Sequence, residues 1–454
     1  MSVAVGGAQR VNVAGLSVDA GLVELITQEV LPGTGVDKDA WFEAFGDIVR
    51  ELGPQNKALL AKRDALQKQI DDYHKASKGP VDMVPYKAFL TKIGYLVPEG
   101  APFKISSTKV DPEIALVAGP QLVCPIDNPR FMLNAANARW GSMMDALYGT
   151  DVIEEEGGAT RGKGYNRVRG AKVFEETHKL LDEFFPLDGA SYADVASFAI
   201  KDGKLVATVD GKELALKSPE KFAGYNAKGS DLSSVLLRNH GLHFDILIDR
   251  EDAVGKDHKA GVKDVMVESA LSAIGDCEDS VAAVDAGDKV VCYRNWLGLM
   301  KGTLGVEVKK GNSTVTRTLN PDRVYTAPDG KGEISVPGRV VLLVRNVGLH
   351  VYTDAVTTAE GDNIPENFLD CMVRPDPEPP FTSLAHTTLG PLAHSTGQSK
   401  LTRRPLPRSC CLIVPTPNVD GCVPQNREIN FQPPHFEETM LTQAKLDPLA
   451  HTCW

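Results

Sequence analysis

No apolar run in this 454-residue chain approaches the roughly 18 residues that a membrane span requires. Nor does the opening MSVAVGGAQRVNVAG have the charged, apolar and cleavage regions of a secretory leader. The final TCW is not a peroxisomal address, so a cytoplasmic location is expected. Positive charge is also in short supply, with 49 Lys and Arg against 60 Asp and Glu and a formal net charge of -11. That balance gives no electrostatic drive toward nucleic acid or an anionic membrane, and leaves small molecules or proteins as partners. Cysteine is sparse and scattered: Cys124, Cys277, Cys292 and Cys371 each stand alone, which argues for reduced thiols and against a disulfide framework.

What is present is enough length for two or three domains, or for one barrel that absorbs most of the chain. The first hundred residues read as helical. Trp41, Phe42, Phe45, Ile48, Val49 and Leu52 recur at helical spacing, with Gly53-Pro54 as the expected stop. In NKALLAKRDALQKQIDDYHK, Leu59, Leu66, Ile70 and Tyr73 share one face of a second helix, which is expected to clasp a neighbouring part of the chain.

From Gly119 the pattern becomes strand, loop and helix, in PQLVCPI and then NPRFMLNAANARWGSMMDALYG. Two Asp-Gly turns, Asp202-Gly203 and Asp210-Gly211, divide short β-type runs and predict an antiparallel meander. GLHFDILIDR alternates as a strand with one buried face, and Gly311-Asn312, Asn320-Pro321 and Asp329-Gly330 punctuate further β structure. Arg339 to Val344 reads as a strand buried on both faces, too apolar for a sheet edge, ending in Arg345. An arginine at such a strand end suits either a functional site or a strand-end salt bridge.

Several motifs carry candidate chemistry. GGATRGKG, from Gly157 to Gly164, has phosphate-loop spacing up to Lys163, but Gly164 replaces the required hydroxyl and acidic DVIEEE precedes it, so it reads as a surface turn. His240 and His243 lack the companions of a metal site, and Cys410, Cys411, Cys422 and His435 fit no zinc template. Asp276, Glu278 and Asp279 follow the run ALSAIG. Three carboxylates so close need cations, hydrogen bonds or solvent to offset their repulsion, as in a metal-proximal site or an exposed acidic loop.

Taken together, GPQLVCPIDNPRFMLNAANARWGSMMDALYGTDVI, NHGLHFDILID, CEDSVAAVDAGDKVVCYRNWLGLMKG, YTAPDG and LLVRNVG resemble malate synthase of the long G isoform, in order from Leu16 to Val373. The resemblance implies an α/β fold: an incomplete (β/α)8 TIM barrel with an N-terminal helical clasp and an inserted α/β domain. On that template residues 1–115 are the clasp, 116–140 the first barrel strand and its loop, and 141–265 the first part of the insertion. Residues 266–300 hold a barrel strand with an acidic end, 301–338 the second part of the insertion, and 339–373 the strand ending in Arg345.

The resemblance further implies condensation of acetyl-CoA with glyoxylate and hydrolysis to malate and CoA, by a family that is typically monomeric and uses Mg2+. It implies that Arg345 is catalytic and binds glyoxylate, its permanent charge meeting enolate and alkoxide oxygens. It places Val123, Arg130, Phe131, Ser280 and Arg317 against acetyl-CoA, and Glu278 in the outer or water-mediated magnesium shell. Cys277, where an aromatic residue is usual, and the order Leu349-His350 depart from the family pattern.

After Val373 the resemblance stops, and with it the counterparts of the main magnesium ligands and the base aspartate. Residues 374–454 hold 13 of 29 prolines, four of eight cysteines and three of 41 glycines, and are expected to form an unrelated, disordered tail arising from a frame, splice or gene-model change. Negligible turnover is therefore expected. The alternative is a non-catalytic homologue that retains a CoA-side or protein-interaction surface.

Overall fold

The computed structural model describes residues 9–77, 79–105, 110–229, 231–310 and 313–373; the expected Gly311-Asn312 turn and the tail lie outside them. The described chain opens with a hairpin of β1 (Arg10–Val13) and β2 (Leu16–Asp19), turned by Ala14 (φ 51°) and Gly15 (φ 77°). This corrects the helical reading of the first hundred residues. Four-residue strands are too short for a periodicity to register, and the hairpin is held by a strand more than 300 residues away.

Asp19 caps α1 (Ala20–Leu25), and Asp37 caps α2 (Lys38–Ala76) by accepting hydrogen bonds from the Asp39 and Ala40 amides. Helix α2 runs through Pro54, so Gly53-Pro54 is not a stop. Proline costs about 3 kcal/mol in a helix interior. Buried Trp41, Phe42, Phe45, Ile48 and Val49 anchor the helix upstream. Downstream, Tyr73 stacks on Phe89 of α3 (Met83–Lys92) at 4.5 Å, the contact that the far end of the amphipathic face makes, while Leu59 stays exposed.

After α4 (Pro112–Ala115) come β3 (Gln121–Pro125), α5 (Pro129–Ala136), β4 (Trp140–Ser142), α6 (Met143–Gly149) and α7 (Arg167–Phe184). The meander follows as β5 (Val195–Lys201), β6 (Lys204–Val209) and β7 (Lys212–Ala215). Both Asp-Gly pairs have positive φ throughout, as tight hairpin turns demand. Strands β8 (Phe222–Lys228), β9 (Asp231–Asn239), β10 (Leu242–Ile248) and β11 (Val262–Glu268) precede β12 (Ser272–Asp276) and α8 (Ala286–Met300). The chain continues through β13 (Val306–Lys310), β14 (Ser313–Arg317), β15 (Arg323–Thr326), β16 (Glu333–Val336) and β17 (Val341–Arg345), then β18 (Tyr352–Thr358), β19 (Asn363–Pro365) and α9 (Glu366–Met372).

The architecture is mixed α/β. Among the described residues the antiparallel sheet runs β16-β15-β8-β9-β10-β11-β4, and a separate parallel sheet runs β17-β12-β3. Strand β10 is covered on both faces at its centre rather than on one, because Asp245 on its polar face is 1% exposed and accepts hydrogen bonds from Arg323 Nη2 (3.0 Å) and Tyr325 Oη (2.8 Å). Strand β17 pairs with β12 alone, so it is an edge strand among the described residues, contrary to the reading from its apolarity. Apolarity reports that its faces are covered, not that its outer backbone is paired. Helices α5 and α8 cover one face of this sheet. Met132 and Trp296 pack with Cys124, Ala273, Leu342 and Val344, and Gly275 keeps β12 flat beneath them, since a Cβ there would sit 3.2 Å from Met132 Cε.

Candidate functional site

Parallel pairing of β12 and β17 sets Asp276 beside Arg345 in register, both at the carboxyl ends of their strands. Arg345 donates from Nε to Asp276 Oδ1 (2.8 Å) and from Nη2 to Oδ2 (2.7 Å), a bidentate pair. Asp276 is fully buried and also accepts from the Glu278 and Ser280 amides (2.9 Å each) and Ser280 Oγ (2.7 Å). Burial alone would push its carboxyl up. The Arg345 hydrogen bond and those from Ser280 and Glu278 more than offset that, holding it well below the usual carboxylate range. The same hydrogen bond, followed by the charges of Asp276, Asp279 and Glu278, raises the Arg345 guanidinium above its already high value.

The salt-bridge reading of Arg345 and the functional one therefore coexist in one geometry. Asp276 grips the Nε and Nη2 side, Asp279 lies 3.0 Å from Nη2, and Glu278 stands 3.8 Å from Nε. Nη1 has no hydrogen-bond partner among the described residues, and the side chain is 39% exposed. This is a cation fixed in orientation with one amino group free.

The donors do not amount to a magnesium site on their own. Both Asp276 oxygens are committed to Arg345, and Asp279 faces Nη2, which leaves Glu278, half-buried beside Gly348, as a hard oxygen ligand. Among the described residues no group of three or more His, Cys, Asp or Glu side chains could hold a metal ion.

The residues that the resemblance assigns to acetyl-CoA are carried by β3, α5, β14 and the segment after β12. Val123 is 58% exposed, on the face of β3 opposite to Cys124, which packs under the helices. Arg130 and Phe131 occupy the first turn of α5, where Asn128 caps the helix by accepting from the Phe131 amide (3.1 Å) and Pro129 sets its start. Arg317, on β14, donates to Asn134 Oδ1 of α5 (2.9 Å), and Asn137 ties the same helix to the Thr318 carbonyl and the Asn320 amide. Arg317 is thus brought to the helix that carries Arg130 and Phe131. Ser280 is exposed, but its hydroxyl proton is spent on Asp276.

Behind Arg345 is a cluster that sequence reasoning missed. Lys289 Nζ of α8 contacts Asp370 Oδ1 (3.1 Å) and Glu366 Oε1 of α9, and Tyr293 Oη donates to Asp370 Oδ1 (2.5 Å). All four residues are buried. Asp370 Oδ2 accepts from the Val347 amide (3.2 Å), and Asn367 donates to the Val347 carbonyl (2.7 Å), so α9 fixes the loop that leaves β17. The visible signal was Asp370 inside the apolar stretch FLDCMV.

Of the other candidates, His243 bonds Glu268 through Nδ1 (3.0 Å), and Glu268 pairs with buried Arg139; His240 turns the β9–β10 hairpin at φ 48°. Cys124, Cys277, Cys292 and Cys371 form no disulfide with one another, while Cys410, Cys411, Cys422 and His435 lie outside the described residues. No helix among the described residues is long and apolar enough to cross a membrane.

Comparison with known proteins finds similarity to one family. Residues 22–83 match the family model "Malate synthase, N-terminal domain", and residues 165–239 match "Malate synthase G, alpha-beta insertion domain". The chain is 49% identical over 365 residues to malate synthase G of Corynebacterium efficiens, covering 80% of this chain and 48% of that protein. It is 48% identical over 363 residues to the Halalkalibacterium halodurans protein of the same name (80% and 50%) and 47% identical over 365 residues to that of Corynebacterium glutamicum (80% and 49%). The chain thus spans about half the length of these relatives.

Proposed function

Since the chain is homologous to malate synthase G over four-fifths of its length, we propose that it carries the electrophile-binding and CoA-side part of that enzyme's site. The observation that supports this is the Asp276–Arg345 pair at adjacent parallel strand ends, with Nη1 left free. In this reading β3, β12 and β17 are the first strands of a (β/α)8 barrel, whose chemistry gathers at strand carboxyl ends.

The reaction joins the acetyl methyl carbon of acetyl-CoA to the aldehyde carbon of glyoxylate, then uses water to cleave the thioester, giving malate and CoA. Arg345 holds the glyoxylate carboxylate or the oxygen that gains charge as the carbon–carbon bond forms. Its charge does not depend on pH, and Asp276 has already fixed its orientation, so little reorganisation remains at the transition state. Val123, Phe131, Arg130, Ser280 and Arg317 supply apolar cover and positive charge for acetyl-CoA. By the resemblance, magnesium would polarise the glyoxylate aldehyde, with Glu278 in its outer shell.

The 454-residue chain is expected to bind glyoxylate without glyoxylate-dependent CoA release. Arg345→Ala should abolish the binding seen by calorimetry, and robust magnesium-dependent CoA release would overturn the expectation of inactivity. The Arg317–Asn134 bond supports a second reading, a CoA-binding homologue without catalysis. Saturable acetyl-CoA binding lost in Arg317→Ala would distinguish it from a chain that binds nothing.

A further inference from the structure

A cavity of about 360 Å³ opens within the antiparallel region, between α6, the start of α7, the GGATRGKG loop and the segment entering β11. None of its lining residues belongs to the Arg345 site. Its volume lies at the small end of the range for organic ligands, roughly 300–1,000 Å³.

The loop that forms one wall is rigidly held. Arg169, fully buried, donates from Nε to the Tyr148 carbonyl (2.7 Å), from Nη1 to Ile153 (2.8 Å) and Ala159 (3.0 Å), and from Nη2 to Thr150 (2.7 Å). Asn166 caps α7 and donates to the Gly158 and Thr160 carbonyls. Tyr165 stacks on Tyr148 at 5.8 Å, and its hydroxyl occupies the space that a Cβ on Gly170 would take, 2.0 Å away. No strand leads into this loop, which joins α6 to α7, so it is not built as a phosphate cradle.

The polar lining carries both signs of charge, held apart. Asp264 Oδ1 accepts from Ser142 Oγ and the Val265 amide (2.7 Å each), and burial, with the nearby charge of Asp145, pushes its carboxyl up. The Asp145 carboxylate has no hydrogen-bond partner among the described residues, and Lys163 has neither hydrogen bond nor ion pair among them. Lys263 is turned to Asp249 at 3.4 Å. The half-buried Asp264 carboxyl beside the charge of Asp145 favours a cation at that end of the cavity, and the Lys163 ammonium favours an anion.

We propose that this cavity binds a small zwitterion of the α-amino acid class with an apolar or aromatic side chain. The ammonium lies against Asp145 and Asp264, the carboxylate reaches Lys163, and the side chain packs over Tyr148 and Val173. The ligand bridges charges that the protein itself leaves unbridged.

Calorimetry on the full 454-residue chain with L-phenylalanine, phenethylamine and 3-phenylpropionate tests this. L-Phenylalanine is expected to saturate with a Kd of about 1 mM or tighter. Lys163→Ala should weaken L-phenylalanine at least tenfold and leave phenethylamine unchanged, while Asp145→Asn should weaken both. L-Phenylalanine should also slow acylation of Lys163 by an amine-reactive reagent. Neither variant removes a hydrogen bond made by that side chain to a described residue, and far-UV circular dichroism matching the parent establishes folding. Absence of saturation by L-phenylalanine, equal binding of 3-phenylpropionate, or unchanged L-phenylalanine affinity in Lys163→Ala would overturn the proposal. So would displacement of L-phenylalanine by inorganic pyrophosphate.

Discussion

The antiparallel region around β8–β11 and the parallel sheet β17-β12-β3 solve burial in different ways. The first closes its own core. Val235, Leu237, Ile246 and Val265 are fully buried against α6, α7 and the β5–β7 meander, and its buried polar side chains are few, Asp245 being held by Arg323 and Tyr325. The second is equally dry on its helix-covered face, yet among the described residues β3 and β17 each pair on one side alone. It depends on charged groups at its margin: Arg345 with Asp276, and Lys289 with Glu366 and Asp370. Apolar packing makes a region self-sufficient, whereas ionic pairs at a sheet's end keep it poised for groups brought from elsewhere.

The largest expected effect breaks the first region. Arg169→Met leaves four carbonyls, those of Ile153 and Ala159 buried, without their donor, and a cost of about 5 kcal/mol is expected. Hydrogen exchange should rise across α7 and β8–β11 and stay unchanged in β12 and β17. Lys289→Met is the mirror test. Two buried carboxylates lose their cation, so about 4 kcal/mol is expected, with faster exchange confined to α8, α9 and the loop after β17.

Acid should discriminate the two regions next. His258 Nδ1 accepts from the Ala260 amide (3.0 Å) and its Nε2 lies 2.8 Å from His178 Nε2, so the pair is built for neutral rings. Burial, then the proximity of His178, Arg250 and Lys259, pulls the His258 pKa down to about 4. Below about pH 6.5 the unfolded ring takes up a proton that the folded ring refuses, so stability falls as pH drops from there to about 4 and levels off beneath. The loss is about 3 kcal/mol, and urea titrations at several pH values should show it vanish in His258→Leu. Asp276 has the same sign in a lower window: its contribution is complete above about pH 4 and is lost only as pH falls toward its depressed value. Asp276→Asn is expected to cost about 3 kcal/mol, because an amide NH2 would meet donors that the buried carboxylate now accepts from. On the proposed function, glyoxylate affinity should also fall about tenfold in this variant, since the guanidinium loses its fixed orientation.

Legibility in the sequence followed the same division. The Asp202-Gly203 and Asp210-Gly211 turns were readable because positive φ at both positions is a local demand that few residue pairs meet. The acidic strand end and Arg345 were readable because charge directly after an apolar run marks where a strand stops. Pro54 misled, since its cost is local while the packing that outweighs it is distant. The β1–β2 hairpin was hidden for the converse reason, its register being supplied by β18. Lys289 gave no signal, because a lysine among polar helix residues looks solvated until α9 is laid over it.

The pairing of β2 with β18, which matches Val18 with Val356, has a consequence in time. Leu22, Leu25, Phe42 and Phe45 share one core with Ala355, Val356, Leu369 and Met372. At roughly 5–20 residues per second of synthesis, a chain that has made Val18 waits on the order of 20–70 s for its partner strand. During that interval the N-terminal helices present an unfinished apolar face at the ribosome, while the antiparallel region, whose strands are local in sequence, has time to fold first.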